Sequence, residues 1–392
     1  MSLTERVPVS IDMQDGIKVL CYSEAWGQGG IETFLMNLFR RLQGNGFSFS
    51  LFSTWDWNGR LDKELRSMGI PRWTLFPGEK PSQMTRITKA PVAFKGLIRQ
   101  VNPDVVYINT MNGMGFLYSK VAKEMGVPIR IVHSHNSAFG DGSAVAKAIA
   151  HNFGRRMWAG TATVRLAVSN DAGHYLFGSR SFEVVNNGVD THRFAFDISE
   201  RNQCRDAYGI PRNALLFGSV GRIAEAKNPL FQIRTFAKIK ELVPDALYLM
   251  AGDGELRSQT QLLVKELELS DSVIMPGYFT DSSPIYSALD CLLMPSLHEG
   301  LPMVSIEAQS SGLPILCSDG LANESRITDL ENRLPLSAGE EAWAKRAVQL
   351  AQSGVNRSKY AAAVKAAHFD ACDTAQYLAR VFAHAKEAGV SH

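Results

Sequence analysis

The sequence predicts an α/β protein of two consecutive Rossmann-like domains, each a parallel sheet covered by helices. Three observations carry that expectation. Short apolar runs alternate with segments of helical spacing, as in parallel strands buried on both faces. The alternation runs through two series in succession. At 392 residues the chain is also too long for one ordinary core.

The first series of expected strands comprises residues 17–22, 47–52, 105–108, 129–132, 164–168 and 182–185. The second comprises residues 215–220, 246–251, 273–275, 291–294 and 314–317. Residues 32–42, 228–242 and 303–310 have helical spacing between them. The break is expected near 186–197 or in the polar stretch 197–213, and is set at 190/191. Residues 1–190 then form the first domain, 191–370 the second, and 371–392 a terminal helix. No low-complexity segment or short-period repeat is visible.

Hydrophobic content of 45% and charged content of 20% suit a soluble globular protein. The five cysteines are odd in number and scattered, and Cys21, Cys291 and Cys317 fall in apolar runs. None has metal-ligand spacing, which argues for a reducing, cytoplasmic setting. The start of the chain lacks the apolar core of a signal peptide, and no apolar run reaches the roughly 20 residues of a membrane span. Net charge is +2, but residues 1–185 carry +7 and the remainder −5. That asymmetry suggests different partners for the two halves. No nucleic-acid partner is expected.

The densest motif is Ser296-Leu-His-Glu-Gly-Leu-Pro-Met-Val-Ser-Ile-Glu307. It follows the expected strand 291–294 and leads into the helix 303–310. Open α/β sheets hold ligands in loops at the carboxyl ends of strands. A helix N-terminus there suits a phosphate. Glu307 can accept hydrogen bonds from a ribose diol. The alternative is a helix N-terminal acid, Glu299, and a solvated helix residue, Glu307.

Gly221-Arg-Ile-Ala-Glu-Ala-Lys-Asn228 follows the first strand of the second series. Arg222 and Lys227 can meet over one loop, where a guanidinium and an ammonium would clamp a diphosphate. They would also offset charge on a departing nucleotide. A helix-initiating loop with surface cations is the plainer reading. In the first series, Trp26-Gly-Gln-Gly-Gly-Ile-Glu32 enters the first helix. Its glycines allow close backbone approach, yet Glu32 stands where a dinucleotide fingerprint would have its third glycine. His133-Ser-His135-Asn136 closes a strand of the first domain, where imidazoles can take a proton or a hydrogen bond. Asp-x-Asp pairs after a strand, Gly-x-Ser-x-Gly and the P-loop are all absent.

Residues 80–99 interleave Lys80, Arg86, Lys89, Lys95 and Arg99 with apolar side chains. This suits contact with an anionic membrane, or an ordinary solvated helix, and Pro91 is expected to interrupt a single long helix.

Taken in order, Gly29-Gly30-Ile-Glu32, Asn187-Gly-Val-Asp190, Gly218-Ser-Val-Gly-Arg222 with Lys227, Ala251-Gly-Asp-Gly254 and Glu299 to Glu307 resemble the motifs of family 4 glycosyltransferases. The Gly-Gly-Ile-Glu-Thr-Phe and Val-His-Ser-His-Asn wording is similar to bacterial exopolysaccharide and capsule enzymes. The resemblance implies the GT-B fold, two Rossmann-like domains facing across a cleft, with the last helix (spacing over 377–388) crossing back to the first domain. It implies retaining transfer of a sugar from a nucleotide diphosphate donor, a UDP-sugar by expectation, with no metal or other cofactor. Arg222 and Lys227 would hold the diphosphate, Glu307 the ribose and Glu299 the sugar. Backbone at Gly300, Leu301, Pro302 and Met303 would bind sugar and phosphate. Gly29, Gly30 and Gly221 would pass close to the donor, with His298 and Tyr278 beside it. The histidine of the first domain would be His133 or His135, with His135 favoured. The acceptor would be a glycan or lipid-linked intermediate. A nucleotide-sugar epimerase of the same fold, or a non-catalytic sugar-nucleotide-binding subunit, are the alternatives.

Overall fold

The structure, a computed structural model, describes residues 4–7, 16–27, 29–57, 59, 61–136, 144–279, 281–297, 299 and 301–389. The chain divides into two compact units, Met1–Gly188 with Ala371–His392, and Val189–Asp370. In the first unit the order is β1 (Thr4–Val7), β2 (Ile17–Trp26), α1 (Gly30–Leu42), β3 (Phe47–Asp56), α2 (Asp62–Ser67) and β4 (Arg72–Pro77). There follow α3 (Gln83–Val101), β5 (Val105–Thr110), α4 (Phe116–Glu124), β6 (Ile129–Ser134), α5 (Ala144–Trp158), β7 (Val164–Ala167), α6 (Asn170–Phe177) and β8 (Glu183–Val184).

These strands form one sheet in the order β1-β4-β3-β2-β5-β6-β7-β8. All neighbours pair in parallel except β1, which runs antiparallel to β4 at the edge. Alternation along each strand feeds two cores. Leu20, Tyr22, Val106 and Ile108 join the layer under α3, α4 and α6. Val19, Cys21, Val105 and Tyr107 join the layer under α1.

The expected break at Pro91 does not occur: α3 runs unbroken from Gln83 to Val101 with Pro91 inside it. An interior proline costs a helix about 3 kcal/mol or more. Ala90, Phe94, Leu97, Ile98 and Val101 are buried on the same helix, and full burial of a large apolar side chain is worth about 1.5–3 kcal/mol. Packing therefore outweighs the proline.

The second unit contains α7 (Ile198–Ala207), β9 (Leu216–Val220), α8 (Pro229–Leu242), β10 (Leu247–Ala251), α9 (Arg257–Glu266), β11 (Val273–Gly277) and α10 (Ser283–Ala288). It continues with β12 (Cys291–Met294), α11 (Met303–Ser310), β13 (Ile315–Cys317), β14 (Glu331–Arg333), α12 (Gly339–Ala351) and α13 (Tyr360–Ala366). Its sheet is wholly parallel, in the order β11-β10-β9-β12-β13-β14. At the amino end of β12, Asp290 is fixed by Arg201, by the fully buried Arg205 and by the Leu216 backbone N–H.

α14 (Ala371–Gly389) belongs to the first unit. Ala375, Leu378 and Phe382 fill the layer under α1, and the Phe382 ring meets Phe47, Phe49 and Tyr107 edge-on. Among the described residues, no helix is long and apolar enough to cross a membrane.

Candidate active site

In the second sheet, connections run outward to β10 and β11 on one side of β9, and to β13 and β14 on the far side of β12. The strand order therefore reverses between β9 and β12, which leaves a crevice at their carboxyl ends. The loops after those two strands carry Lys227 and Glu299. The Leu297 N–H donates to the Ala226 carbonyl at 2.8 Å, tying the loops together. Lys227 Nζ then reaches Glu299 Oε1 at 2.5 Å, and Ser296 Oγ donates to the same oxygen at 2.5 Å. The Ser296 carbonyl is itself held by Ser318 Oγ.

Gly221 is required here, because its φ is +133° and its N–H donates to the Ala251 carbonyl. Gly252 is pressed against it: a Cβ there would lie 1.8 Å from the Gly221 oxygen. Arg222 borders the same pocket as Lys227, Ser296 and Glu299, but its side chain is 68% exposed and pairs with Glu255 at 3.0 Å. The two expected clamp cations thus share a pocket without sharing a partner.

Glu307 sits on α11, and Tyr286 on α10 donates to its Oε2 at 2.5 Å. Burial pushes the Glu307 carboxyl up to about 7, while the Tyr286 hydroxyl and the Lys227 charge pull the other way. Burial also holds the Tyr286 phenol well above its ordinary value, so it remains a donor. Leu301 and Met303 pack against the small core around Ile306, Val364 and Phe369, so what their segment can offer a ligand is backbone. Pro302 is the N-cap of α11, with no side-chain cap. Tyr278 follows β11 and is 42% exposed. His298 and Gly300 lie outside the described residues.

The first sheet reverses its order between β2 and β5 in the same way. Gly29 caps α1, and its neighbour Glu32 turns back to accept from the Gly27 N–H at 3.1 Å. A Cβ on Gly29 would come 2.8 Å from Glu32 Oε2, whereas one on Gly30 would meet nothing. Glu32 therefore closes the turn, which accounts for an acid at the third-glycine position. A cavity at this switch is lined by Glu24, Thr54, Arg86, Thr110, Asn112 and Tyr118 among others.

The two histidines of β6 separate clearly. His133 is wholly buried, shares a hydrogen bond with Tyr107 Oη through Nδ1 (2.6 Å), and meets Phe34 edge-on. His135 lies just past the strand, half-buried, and its Nε2 donates to Asn109 Oδ1 at 2.9 Å. Burial lowers its pKa to about 3, so the ring is neutral. Its Nδ1 lone pair has no hydrogen-bond partner among the described residues. So weak a base accepts a hydrogen bond rather than a proton near neutral pH.

The sequence assigns no role to Ser296, Tyr286, Glu255, Tyr107 or Asn109. Ser296 Oγ reaches Glu299, a separation that a loop reading could have caught. The others are tertiary partners with no local pattern.

Comparison with known proteins identifies the family. The family described as "Glycosyltransferase Family 4" matches residues 28–193, and "Glycosyl transferases group 1" matches residues 200–367. The chain is 30% identical over 344 residues to the putative glycosyltransferase EpsF of Bacillus subtilis, covering 86% of this chain and 88% of the relative. It is 27% identical over 268 residues to an Escherichia coli UDP-Gal:alpha-D-GlcNAc-diphosphoundecaprenol alpha-1,3-galactosyltransferase, covering 66% and 67%. Anabaena HepE, solved with UDP-glucose, superposes with a TM-score of 0.74 at 17% identity over 94% of this chain and all of HepE. A Rickettsia africae glycosyltransferase gives 0.71 at 16% identity, over 95% and 99%. Strand order, the paired motifs and these matches together make the chain a member of the family 4 glycosyltransferases, with the GT-B fold.

Proposed function

We propose that this glycosyltransferase moves a hexose from a UDP-sugar to a hydroxyl of a lipid-linked glycan, with retention, in exopolysaccharide or capsule synthesis. The carrying observation is the convergence of Lys227, Glu299 and Ser296 at the β9/β12 switch, with Glu307 close enough for Lys227 to act on its charge. In this reading Lys227, with Arg222 swung from Glu255, binds the diphosphate. The α11 backbone N–H groups add to that binding. Glu307 takes the ribose diol, and Glu299 a sugar hydroxyl. Gly221 lets the backbone approach the diphosphate, and Tyr278 flanks the donor.

The sugar C1–oxygen bond breaks as UDP departs, and the cations offset the charge that develops on it. The acceptor oxygen bonds to C1 from the same face and passes its proton to the departing phosphate oxygen. His135 Nδ1 accepts a hydrogen bond from a sugar hydroxyl. Positive side chains carry the charge in this scheme, with no metal or other cofactor. UDP is favoured over other nucleotides because HepE was solved with UDP-glucose and the E. coli relative is named for UDP-Gal. The same relative's diphosphoundecaprenol acceptor supports a lipid-linked acceptor bound by the basic first unit, with action at the cytoplasmic membrane face and residues 80–99 near the lipid.

The test is calorimetry against UDP-, GDP- and ADP-sugars, followed by product analysis with lipid-linked acceptors. Binding of UDP-sugar with glycan extension is expected. Net epimer formation without acceptor, or binding with no turnover on any acceptor, would reject the proposal.

A further inference from the structure

Asn109 is a fully buried amide near the carboxyl end of β5, one of the two strands that flank the first-sheet switch. It pairs in register with Ser23 of β2 on one side and His133 of β6 on the other. A buried amide must have its hydrogen bonds met inside the protein. Nδ2 of Asn109 donates to the Tyr22 carbonyl at 3.5 Å, which turns Oδ1 toward the ring of His135. An amide oxygen can only accept, so the ring nitrogen 2.9 Å away, Nε2, carries the proton. Nδ1 is then the nitrogen left with a lone pair.

The same contact sets which way the ring faces. Turning the imidazole over would exchange Nε2 for Cε1 and put a C–H against Oδ1 in place of the N–H. Phe34 of α1 meets the ring edge-on at 5.2 Å, and the His133 ring lies 4.3 Å from it. These neighbours confine the plane of the ring, but its hydrogen bond among the described residues is the one to Asn109. That bond alone separates one tautomer and one ring face from the other. We propose that Asn109 is a positioning residue for sugar transfer: by accepting from Nε2 it holds His135 in the tautomer and orientation that present the Nδ1 lone pair to the sugar. The role in transfer rests on the reading of His135 as a sugar contact; the control of the ring does not. A purely structural Asn109 makes a different demand, because a fully buried site tolerates an apolar residue of similar size better than a charge. Positioning demands the reverse, since aspartate keeps the accepting oxygen and leucine removes it.

The experiment compares wild type, Asn109→Leu, Asn109→Asp and His135→Gln, each as the full chain with isotope-labelled histidine. Nitrogen NMR of the imidazoles reports which ring nitrogen carries the proton, and the signals missing from His135→Gln identify His135. Initial rates with UDP-sugar and acceptor above neutral pH separate kcat from KM, and thermal melts record stability. Wild type is expected to show a protonated Nε2 and a bare Nδ1. Asn109→Leu should show both tautomers in exchange and lose about 10–100-fold in kcat with donor KM little changed, the range for removing partners that orient metal-bound imidazoles. Asn109→Asp should melt lower yet keep the wild-type tautomer and far more of kcat. Its carboxylate should also make the ring take a proton at higher pH than in wild type. His133 is the titratable group that faces the ring, while Phe34 and the native Asn109 are neutral. A proton on Nδ1 in wild type overturns the inference. So do wild-type signals and turnover in Asn109→Leu, or a kcat loss in Asn109→Asp as large as in Asn109→Leu. If the leucine variant does not fold, the aspartate variant decides: an unchanged protonation midpoint of His135 overturns the inference, and a raised one upholds it. Full turnover in His135→Gln, with the wild-type ring signals as expected, would count against the sugar contact and leave the control of the ring by Asn109 standing.

Discussion

Replacing Glu299 by Gln should move nucleotide binding and sugar transfer in opposite directions. Glu299 neutralises Lys227 at 2.5 Å, with side chains 12% and 27% exposed. A diphosphate approaching Lys227 must share that ammonium with a carboxylate that repels it. Two unit charges 4 Å apart interact by about 1 kcal/mol in water and about 4 kcal/mol at the effective dielectric near a protein surface. Partial exposure places the repulsion near the lower part of that range, so its removal should tighten UDP by about 1–2 kcal/mol, a factor of about 5–30. The gain applies to UDP, which has no sugar for Glu299 to hold. With the full donor, loss of a charged contact that strengthens at the transition state should cost about 3–4 kcal/mol, or about 10²–10³ in kcat. Calorimetry with UDP and initial rates with donor and acceptor measure the two effects separately. Weaker UDP binding in the variant, in proportion to its lost turnover, would refute the competition argument. Unchanged turnover would refute the assignment of Glu299 to the sugar.

Other expectations follow from the same geometry. Glu307 titrates near 7 because of burial, so its carboxylate should form as pH rises through about 7 and UDP affinity should rise with it. Because its folded-state pKa lies above the ordinary 4.5, its contribution to stability is full below 4.5 and is lost as pH rises through about 7. Glu307→Gln should flatten both profiles, and Tyr286→Phe should move the midpoint upward; calorimetry and thermal melts across pH check this. His133→Ala should lower the melting temperature by leaving the Tyr107 hydroxyl unpaired, at about 1–3 kcal/mol. His135→Ala should melt near wild type and lose turnover instead. Arg205→Ala strips a buried partner from Asp290 and four backbone carbonyls, so a loss of about 3–5 kcal/mol in denaturant unfolding is expected, with UDP binding retained in the folded fraction.

The strands that could be read from the sequence are those buried on both faces. β2, β3 and β5 begin at the expected residues 17, 47 and 105 and run two to four residues further. The extensions carry polar residues that a search for apolar runs passes over, as in Thr54-Trp55-Asp56, where buried Asp56 accepts from Arg72. β4 was missed because it opens on Arg72, which is fully buried against Asp56 and Asp62, a pairing invisible to local pattern. β14 was missed likewise: Glu-Asn-Arg reads as loop, yet Glu331 is buried by Ser305, Ser325 and Arg333. Lys227 and Glu299 were legible because each lies just past an apolar run, where a parallel sheet leaves its ligand loops. Arg222 shows the limit of spacing, since nothing local says that its guanidinium turns toward Glu255. Tyr286 illustrates it again, meeting Glu307 from a separate helix.

α14 has a consequence for synthesis. Phe382, fully buried, closes a layer that contains Val19, Phe39 and Phe49, so that layer stays open until residues past 370 have been made. The Val189–Asp370 unit has no such wait: its ends bridge each other, Val189 to Asp370, and Thr191 binds Asp370. On the ribosome, where domains generally fold in order of emergence, this chain should reverse the sequence. Its later half can mature first, while the earlier half keeps an apolar layer exposed until α14 arrives.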